Sequence, residues 1–252
     1  MSVVAIANQK GGVGKTTTAI NLGAALGILE RRVLLVDCDP QGNASRGVGY
    51  EGGGPLLYDA LVGDCNLLAA IHPTGFAGLD VVPSDHDLVG IEVEFVGLEG
   101  WESRLREQLA ALEGYDTVLL DCPPSLGHLT INALVAANAV IVPMQCEYFA
   151  LEGMAGLLNT IERIRGAMNE NLQLAGILLT MFDERTRLSR QVRREIELHF
   201  PEQVFKTVVP RNIRLAEAPS HGVPALQYDV KSRGAQAYLA LASEYLTAAA
   251  RH

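Results

Sequence analysis

Eight consecutive residues constrain this chain more than any other stretch: Lys10-Gly11-Gly12-Val13-Gly14-Lys15-Thr16-Thr17. They follow an apolar run of strand length at 3–7 and precede a stretch with helical periodicity at 19–29. A glycine-rich turn in that position lets backbone N–H groups converge on an anion, and the helix N-terminus adds partial positive charge. Lys15 would reach the β- and γ-phosphates of a nucleotide, and the Thr16 hydroxyl suits Mg²⁺. Gly11, Gly12, Val13, Gly14 and Thr17 complete the backbone cradle. The loop departs from G-x-x-x-x-G-K-[ST] in one respect: Gln9 stands where the first glycine is expected. Beside it, Lys10 adds a second positive charge. Such a charge serves its own phosphates or reaches a second molecule's nucleotide, as an arginine finger does in trans.

The rest of the chain fits a fold that presents such a turn. Apolar runs recur at 33–36, 116–120, 139–143 and 174–180, with helical patterns near 101–113, 125–137, 150–168, 187–199 and 233–249. Runs that are apolar on both faces suit central parallel strands. Their alternation with helices predicts right-handed crossovers and a doubly wound, mostly parallel α/β sheet flanked by helices. Ligands of such sheets lie at the carboxyl ends of the strands. With 48% apolar residues, 252 residues supply one large core, and the expectation is a single domain over 1–252. The least legible region is 45–100. Gly47, Gly49 and the glycines at 52–54 suggest a loop, and 84–100 reads as helix or loop.

Other classes drop out. Cys38, Cys65, Cys122 and Cys146 form no C-x-x-C pair, which removes zinc knuckles and redox motifs. The chain opens with no signal-peptide pattern. No apolar run approaches the ~18–20 residues that span a bilayer. The expectation is a reduced, cytoplasmic protein.

Acids cluster where a nucleotide's metal would be. Asp37 and Asp39 follow the second apolar run, and alternation lets both face one way with Cys38 opposite. An acid there orients attacking water or organises Mg²⁺. Asp121 ends another run and is placed to hold Mg²⁺ through water. Pro123 and Pro124 stiffen the next turn. Cys38, Cys122 and Cys146 read as small buried hydrophobes.

The net charge of −9 argues against a protein that coats nucleic acid. That average hides an asymmetry. Residues 185–214 hold eight basic residues against three acids, a local +5 that leaves −14 on the remainder. Arg187, Arg190 and Arg194 fall at i, i+3 and i+7 and share a helix face. With no base-reading motif, contact with nucleic acid would track phosphates and be independent of sequence.

In order along the chain, these motifs resemble the ParA/MinD family of deviant Walker A P-loop ATPases. Lys10 to Thr17 is similar to the deviant Walker A box. Val36-Asp37-Cys38-Asp39-Pro40-Gln41-Gly42-Asn43 resembles the next motif, and Leu120-Asp121-Cys122-Pro123-Pro124 the Walker B. Gln145-Cys146-Glu147-Tyr148-Phe149-Ala150-Leu151-Glu152-Gly153 and Pro210-Arg211-Asn212-Ile213-Arg214-Leu215-Ala216-Glu217-Ala218-Pro219-Ser220-His221-Gly222 resemble the chromosomal ParA (Soj) branch. The resemblance runs from residue 3 to about 240.

It implies ATP and Mg²⁺ as cofactors, Asp39 as the acid that activates water, Asp37 as a support of the metal shell and Asp121 as the Walker B acid. Adenine recognition falls to Asn212, whose amide both donates and accepts, and to the Pro210 backbone. Glu147 is implied near the nucleotide at a dimer interface, and Arg185 and Arg214, with Arg187 and Arg190 beside them, at DNA. The implied cycle is an ATP-driven homodimer in sandwich form, with Lys10 meeting the partner's phosphates. Non-specific double-stranded DNA binds to the joined surfaces, placing the ATP form on the nucleoid, and a ParB-type centromere-binding protein stimulates the hydrolysis that releases it. Control of replication initiation is a further role the resemblance allows. Plasmid relatives that bind operators carry an N-terminal helix-turn-helix domain, for which a chain opening on its first strand has no room. Two other readings compete. A MinD-like membrane ATPase needs a basic amphipathic C-terminal helix, and the end of this chain offers only Arg251 and the weakly basic His252. A metabolic or iron–sulfur P-loop ATPase shares the loop, and Asp121-Cys122 is its only encouragement.

Overall fold

Short runs of Val, Leu and Ile, apolar on both sides, form the middle of a seven-stranded sheet. The strands are β1 (Ser2–Ile6), β2 (Val33–Asp37), β3 (His72–Pro73), β4 (Leu79–Val82), β5 (Thr117–Asp121), β6 (Ala139–Gln145) and β7 (Gln173–Thr180). Their order is β3-β4-β2-β5-β1-β6-β7, and every neighbouring pair is parallel except β3 with β4. The computed structural model describes residues 1–147 and 150–249, and of 150–153 the backbone alone. Tyr148, Phe149 and the side chains of Ala150, Leu151, Glu152 and Gly153 in the fourth motif, like Arg251 and His252, lie outside the described residues.

The helices are α1 (Lys15–Ile28), α2 (Asn43–Gly47), α3 (Leu57–Val62), α4 (Ile91–Glu94), α5 (Arg104–Leu109), α6 (His128–Ala136), α7 (Ala150–Ala167), α8 (Arg187–His199), α9 (Ile213–Glu217), α10 (Ala225–Tyr228) and α11 (Arg233–Ala249). Alternation along the strands splits the core in two. Ala5, Leu34, Val36, Leu120 and Val142 face the layer built by α3, α5, α6 and α7. Val4, Ile6, Leu35, Leu119 and Ile141 face α1 and α11. There the buried Tyr238 hydroxyl meets that of Thr18 at 3.0 Å. A smaller cluster beyond β7 seats α8 through Val192 and Ile196.

Several expectations shift. The strand expected at 116–120 begins one residue later and carries Asp121 as its last residue. The first helix starts at Lys15, because Gly14, at φ 89°, turns the chain directly into it. The helix expected over 101–113 is a 3₁₀ turn, Trp101–Ser103, followed by α5, which stops at Leu109 ahead of Gly114 at φ 81°. The region 45–100 is not one loop; it holds α3, β3, β4 and α4 with two 3₁₀ turns between them. None of the described helices is long and apolar enough to cross a membrane.

Candidate functional site

The central strands end together. β1 lies between β5 and β6, and Asp121 pairs in register with Ile6 on one side and Asp37 on the other. The glycine loop leaves β1 at this edge. Gly12 and Gly14 take positive φ of 74° and 89°, conformations that only glycine adopts without strain. No side chain caps α1, and its first turn holds no acid. Its leading N–H groups therefore remain for an anion. The loop is pinned from behind: Asn8 Nδ2 donates to the Pro143 carbonyl at 2.8 Å and Thr180 Oγ1 to the Val13 carbonyl at 2.7 Å. Lys15 is 7% exposed and donates to the Lys10 carbonyl at 3.3 Å. Burial lowers its pKa, against the pull of nearby acids, Asp121 foremost. Lys10 is half-exposed and forms an ion pair with Glu147 of its own chain. The two residues expected at a dimer interface thus hold each other in the single chain.

The three acids differ in state. Asp121 is fully buried, and neither carboxylate oxygen has a hydrogen-bond partner among the described residues. Burial, and then the charge of Asp37, push its pKa well above the usual range, while Thr16 and Lys15 pull it down. An orphaned buried carboxylate beside a threonine hydroxyl is costly unless a cation meets it, and this donor set fits Mg²⁺. Asp37 is also fully buried, but both its oxygens are engaged. Oδ1 accepts from the Asp39 amide at 3.2 Å, and Oδ2 from the Ser45 amide and hydroxyl at 2.8 and 2.7 Å. Burial raises it to about 6, held back by the Ser45 bonds. Asp37 thus differs from Asp121 in having both oxygens held from within the chain. Asp39 is 8% exposed; Oδ1 accepts from the Gln41 amide at 2.9 Å, and Oδ2 has no partner among the described residues.

Cys38 and Cys122 are buried free thiols, pushed up in pKa by burial. Among the described residues no group of three His, Cys, Asp or Glu is arranged to hold a metal ion. That count does not include a threonine hydroxyl or water.

On the other side of Gly14 and Thr17 lies a mainly apolar pocket of about 370 Å³, walled by Met181, Pro210, Ile213, Leu215 and Tyr238. Its dimensions and lining suit a flat heterocycle. Asn212 stands at its rim as the N-cap of α9, its Oδ1 accepting from the Arg214 amide at 2.9 Å. The acceptor expected to face a base is thus spent on the helix, and the Nδ2 donor remains. Pro210 lines the same pocket.

The basic residues occupy the neighbouring surface. Arg187 and Arg190 line a surface hollow with Gln191 and Arg194, and neither forms an ion pair among the described residues. Arg185 and Arg214 differ. Arg185 is forked onto Asp183 at 2.9 and 2.8 Å, and Arg214 reaches Glu217 at 2.7 Å and Asp229 at 3.3 Å. Arg185 holds the Asp183 carboxyl down to about 2.

Sequence reasoning missed Ser45 and Ser84, the residues that tie Asp37 and Asp39 together. A lone serine carries no pattern; only the convergence of α2 with the segment after β4 reveals them.

The profile of a family described as an AAA domain matches residues 1–174. A chromosome partitioning protein ParA from Caulobacter vibrioides is 52% identical over 252 residues, which cover 98% of this chain and 94% of that protein. The sporulation initiation inhibitor protein Soj from Bacillus subtilis is 51% identical over 245 residues, or 96% of this chain and 97% of its own. Among solved structures, one titled cobyrinic acid a,c-diamide synthase from Mycobacterium smegmatis, with bound ATP analog and magnesium, gives a TM-score of 0.84 at 40% identity and covers 96% of this chain and 93% of its own.

Proposed function

The chain belongs to the ParA/Soj family of chromosome-partitioning ATPases, and from that premise we propose that it is an ATP-driven switch on DNA. ATP is the substrate and Mg²⁺ its companion. The observation that carries this reading is the pairing of an uncapped, acid-free helix N-terminus with an orphaned buried carboxylate, Asp121, beside Thr16.

Each residue has a task that its position supports. The backbone of 11–16 and Lys15 hold the phosphates. Thr16 and Asp121 would hold Mg²⁺, with Asp37 fixed behind them. Bound Mg²⁺ neutralises charge on the β- and γ-phosphates. Asp39 accepts a proton from water through Oδ2, the oxygen its own turn leaves unused. Adenine enters the apolar pocket. Asn212 Nδ2 donates to a ring nitrogen, and the Pro210 carbonyl accepts from the exocyclic amine.

Two chains pair across their nucleotides, and Lys10 leaves Glu147 for the partner's phosphates. The exposed Lys10–Glu147 pair is weak enough to exchange. Pairing joins two basic surfaces, and DNA binds through its phosphates with doubled contacts. Arg187 and Arg190 are ready for phosphate, while Arg185 and Arg214 trade their carboxylates for it. Hydrolysis, stimulated by a ParB-type centromere-binding protein, separates the chains and frees the DNA. The domain is single, over 1–252, and the ATP form associates with the nucleoid in the cytoplasm.

A titration of DNA with ADP, ATP and a non-hydrolysable analogue, each at two salt concentrations, tests the switch. Binding is expected with ATP and the analogue alone, weakening steeply with salt. Equal binding by the nucleotide-free chain would overturn it.

A further inference from the structure

We infer that Ser84 and Ser45 are positioning residues for ATP hydrolysis, forming a buried clamp that holds the turn carrying Asp39. This deepens the ATPase reading above and rests on it. The clamp joins three stretches far apart in sequence. Ser84 Oγ donates to the Asp39 carbonyl at 2.6 Å. The Ser84 amide donates to Ser45 Oγ at 3.0 Å, and that hydroxyl donates in turn to Asp37 Oδ2 at 2.7 Å. Asp37 closes the ring by accepting from the Asp39 amide at 3.2 Å. Asp39 is therefore held at both its amide and its carbonyl.

Every member is shut away from water: Ser45 is 1% exposed, Ser84 5% and Asp37 0%. Ser45 Oγ both accepts and donates, so removing it leaves the buried Ser84 amide without its partner, while removing Ser84 Oγ takes away one of the two donors to the Asp39 carbonyl, the other being the Gly42 amide at 2.9 Å. The fit is tight as well as polar. Gly42, at φ 60° in the same turn, lies so close that a Cβ there would meet the Ser84 carbonyl oxygen at 2.8 Å.

The geometry has a consequence for the chemistry. A general base must sit within hydrogen-bond reach of the proton it takes, and displacement of about 1 Å costs rate heavily. Asp39 occupies a turn, not a strand, and within that turn its carbonyl accepts from the Gly42 amide and its Oδ1 from the Gln41 amide, each at 2.9 Å. Ser84 fixes it from outside. Neither side chain hydrogen-bonds the glycine loop or Lys15 among the described residues, so the clamp is expected to govern turnover and not nucleotide affinity.

Steady-state ATPase assays and titration with a fluorescent non-hydrolysable ATP analogue test this on Ser84→Ala, Ser84→Thr, Ser84→Cys and wild type, with circular dichroism to certify folding. Ser84→Ala is expected to lower kcat about tenfold or more with KM and analogue affinity within twofold. Ser84→Thr is expected to restore kcat, because it returns the hydroxyl. Should Ser84→Ala fail to fold, Ser84→Cys preserves size with a weaker donor and is expected to show the same split in kcat. Unchanged kcat in folded Ser84→Ala or Ser84→Cys would overturn the clamp while leaving the ATPase reading standing. A matched loss of kcat and analogue binding would make the role merely structural and overturn it too. Absence of ATP hydrolysis by wild type would instead overturn the reading on which the clamp rests.

Discussion

The phosphate-loop edge of the sheet and the arginine surface beside α8 carry opposite designs. At the edge, ionisable groups are buried: Asp37, Asp121 and Lys15 are all under 10% exposed. At the arginine surface, Arg185 has a side chain 90% exposed, and Arg214 is 45% exposed. Burial makes charge interactions strong and geometry exact enough for bond-breaking. Exposure makes them weak and exchangeable, which suits contact with a repeating phosphate backbone. In the proposed reading, one region transforms a small anion and the other holds a long one briefly.

This contrast is broken most sharply at Asp39. Asp39→Ala is expected to cut ATP turnover by ~10²–10⁴-fold, while ATP-dependent dimers persist in size-exclusion chromatography; loss of the dimers would sink the assignment. Lys15→Ala follows. Removing a buried charge that meets phosphate is expected to weaken ATP binding on the order of 100-fold, read by calorimetry. At the exposed surface, Arg185→Glu or Arg214→Glu should abolish measurable DNA binding at physiological salt with ATP-driven dimerisation intact. Their Ala counterparts should each lower the salt slope by about 1; unchanged DNA affinity in all of them would dissolve the comparison.

A subtler effect separates the regions by pH. The raised carboxyls of Asp37 and Asp121 bind protons more tightly in the folded chain than in the unfolded one. Stability from this source is therefore present at low pH and falls as pH rises from about 4, the usual carboxyl range, through about 6. Asp121→Asn should raise the Tm of the nucleotide-free protein by a few degrees above pH 6 and leave it unchanged near pH 4. The smallest expected change is at Asp183→Asn. Freeing Arg185 from its fork should tighten DNA binding two- to threefold, and weaker binding would show that Asp183 instead holds Arg185 in place for DNA.

The same contrast explains what the sequence discloses. Central strands announce themselves because residues such as Leu34, Leu35 and Val36 must be apolar on both faces. The loop from Lys10 to Thr17 is legible because binding phosphate by backbone leaves few residue choices. β4 escaped notice because it is four residues long and carries Asp80, whose Oδ2 accepts from the Tyr115 hydroxyl at 2.8 Å. β3 is only two residues long. Asn212 was recognised by type but not by duty, since helix capping depends on the backbone that follows. The surface arginines were countable, but whether each is paired depends on Asp183, Glu217 and Asp229, and linear charge sums cannot tell neighbour from partner.

Thr180 gives the two regions a shared hinge pin. Its hydroxyl grips the Val13 carbonyl within the phosphate loop, and the chain then needs only five residues to arrive at Arg185. A displacement of Val13 would be felt through this bond at the end of β7, close in sequence to the root of α8. The protein can thus write its message and read it at the two ends of one short word.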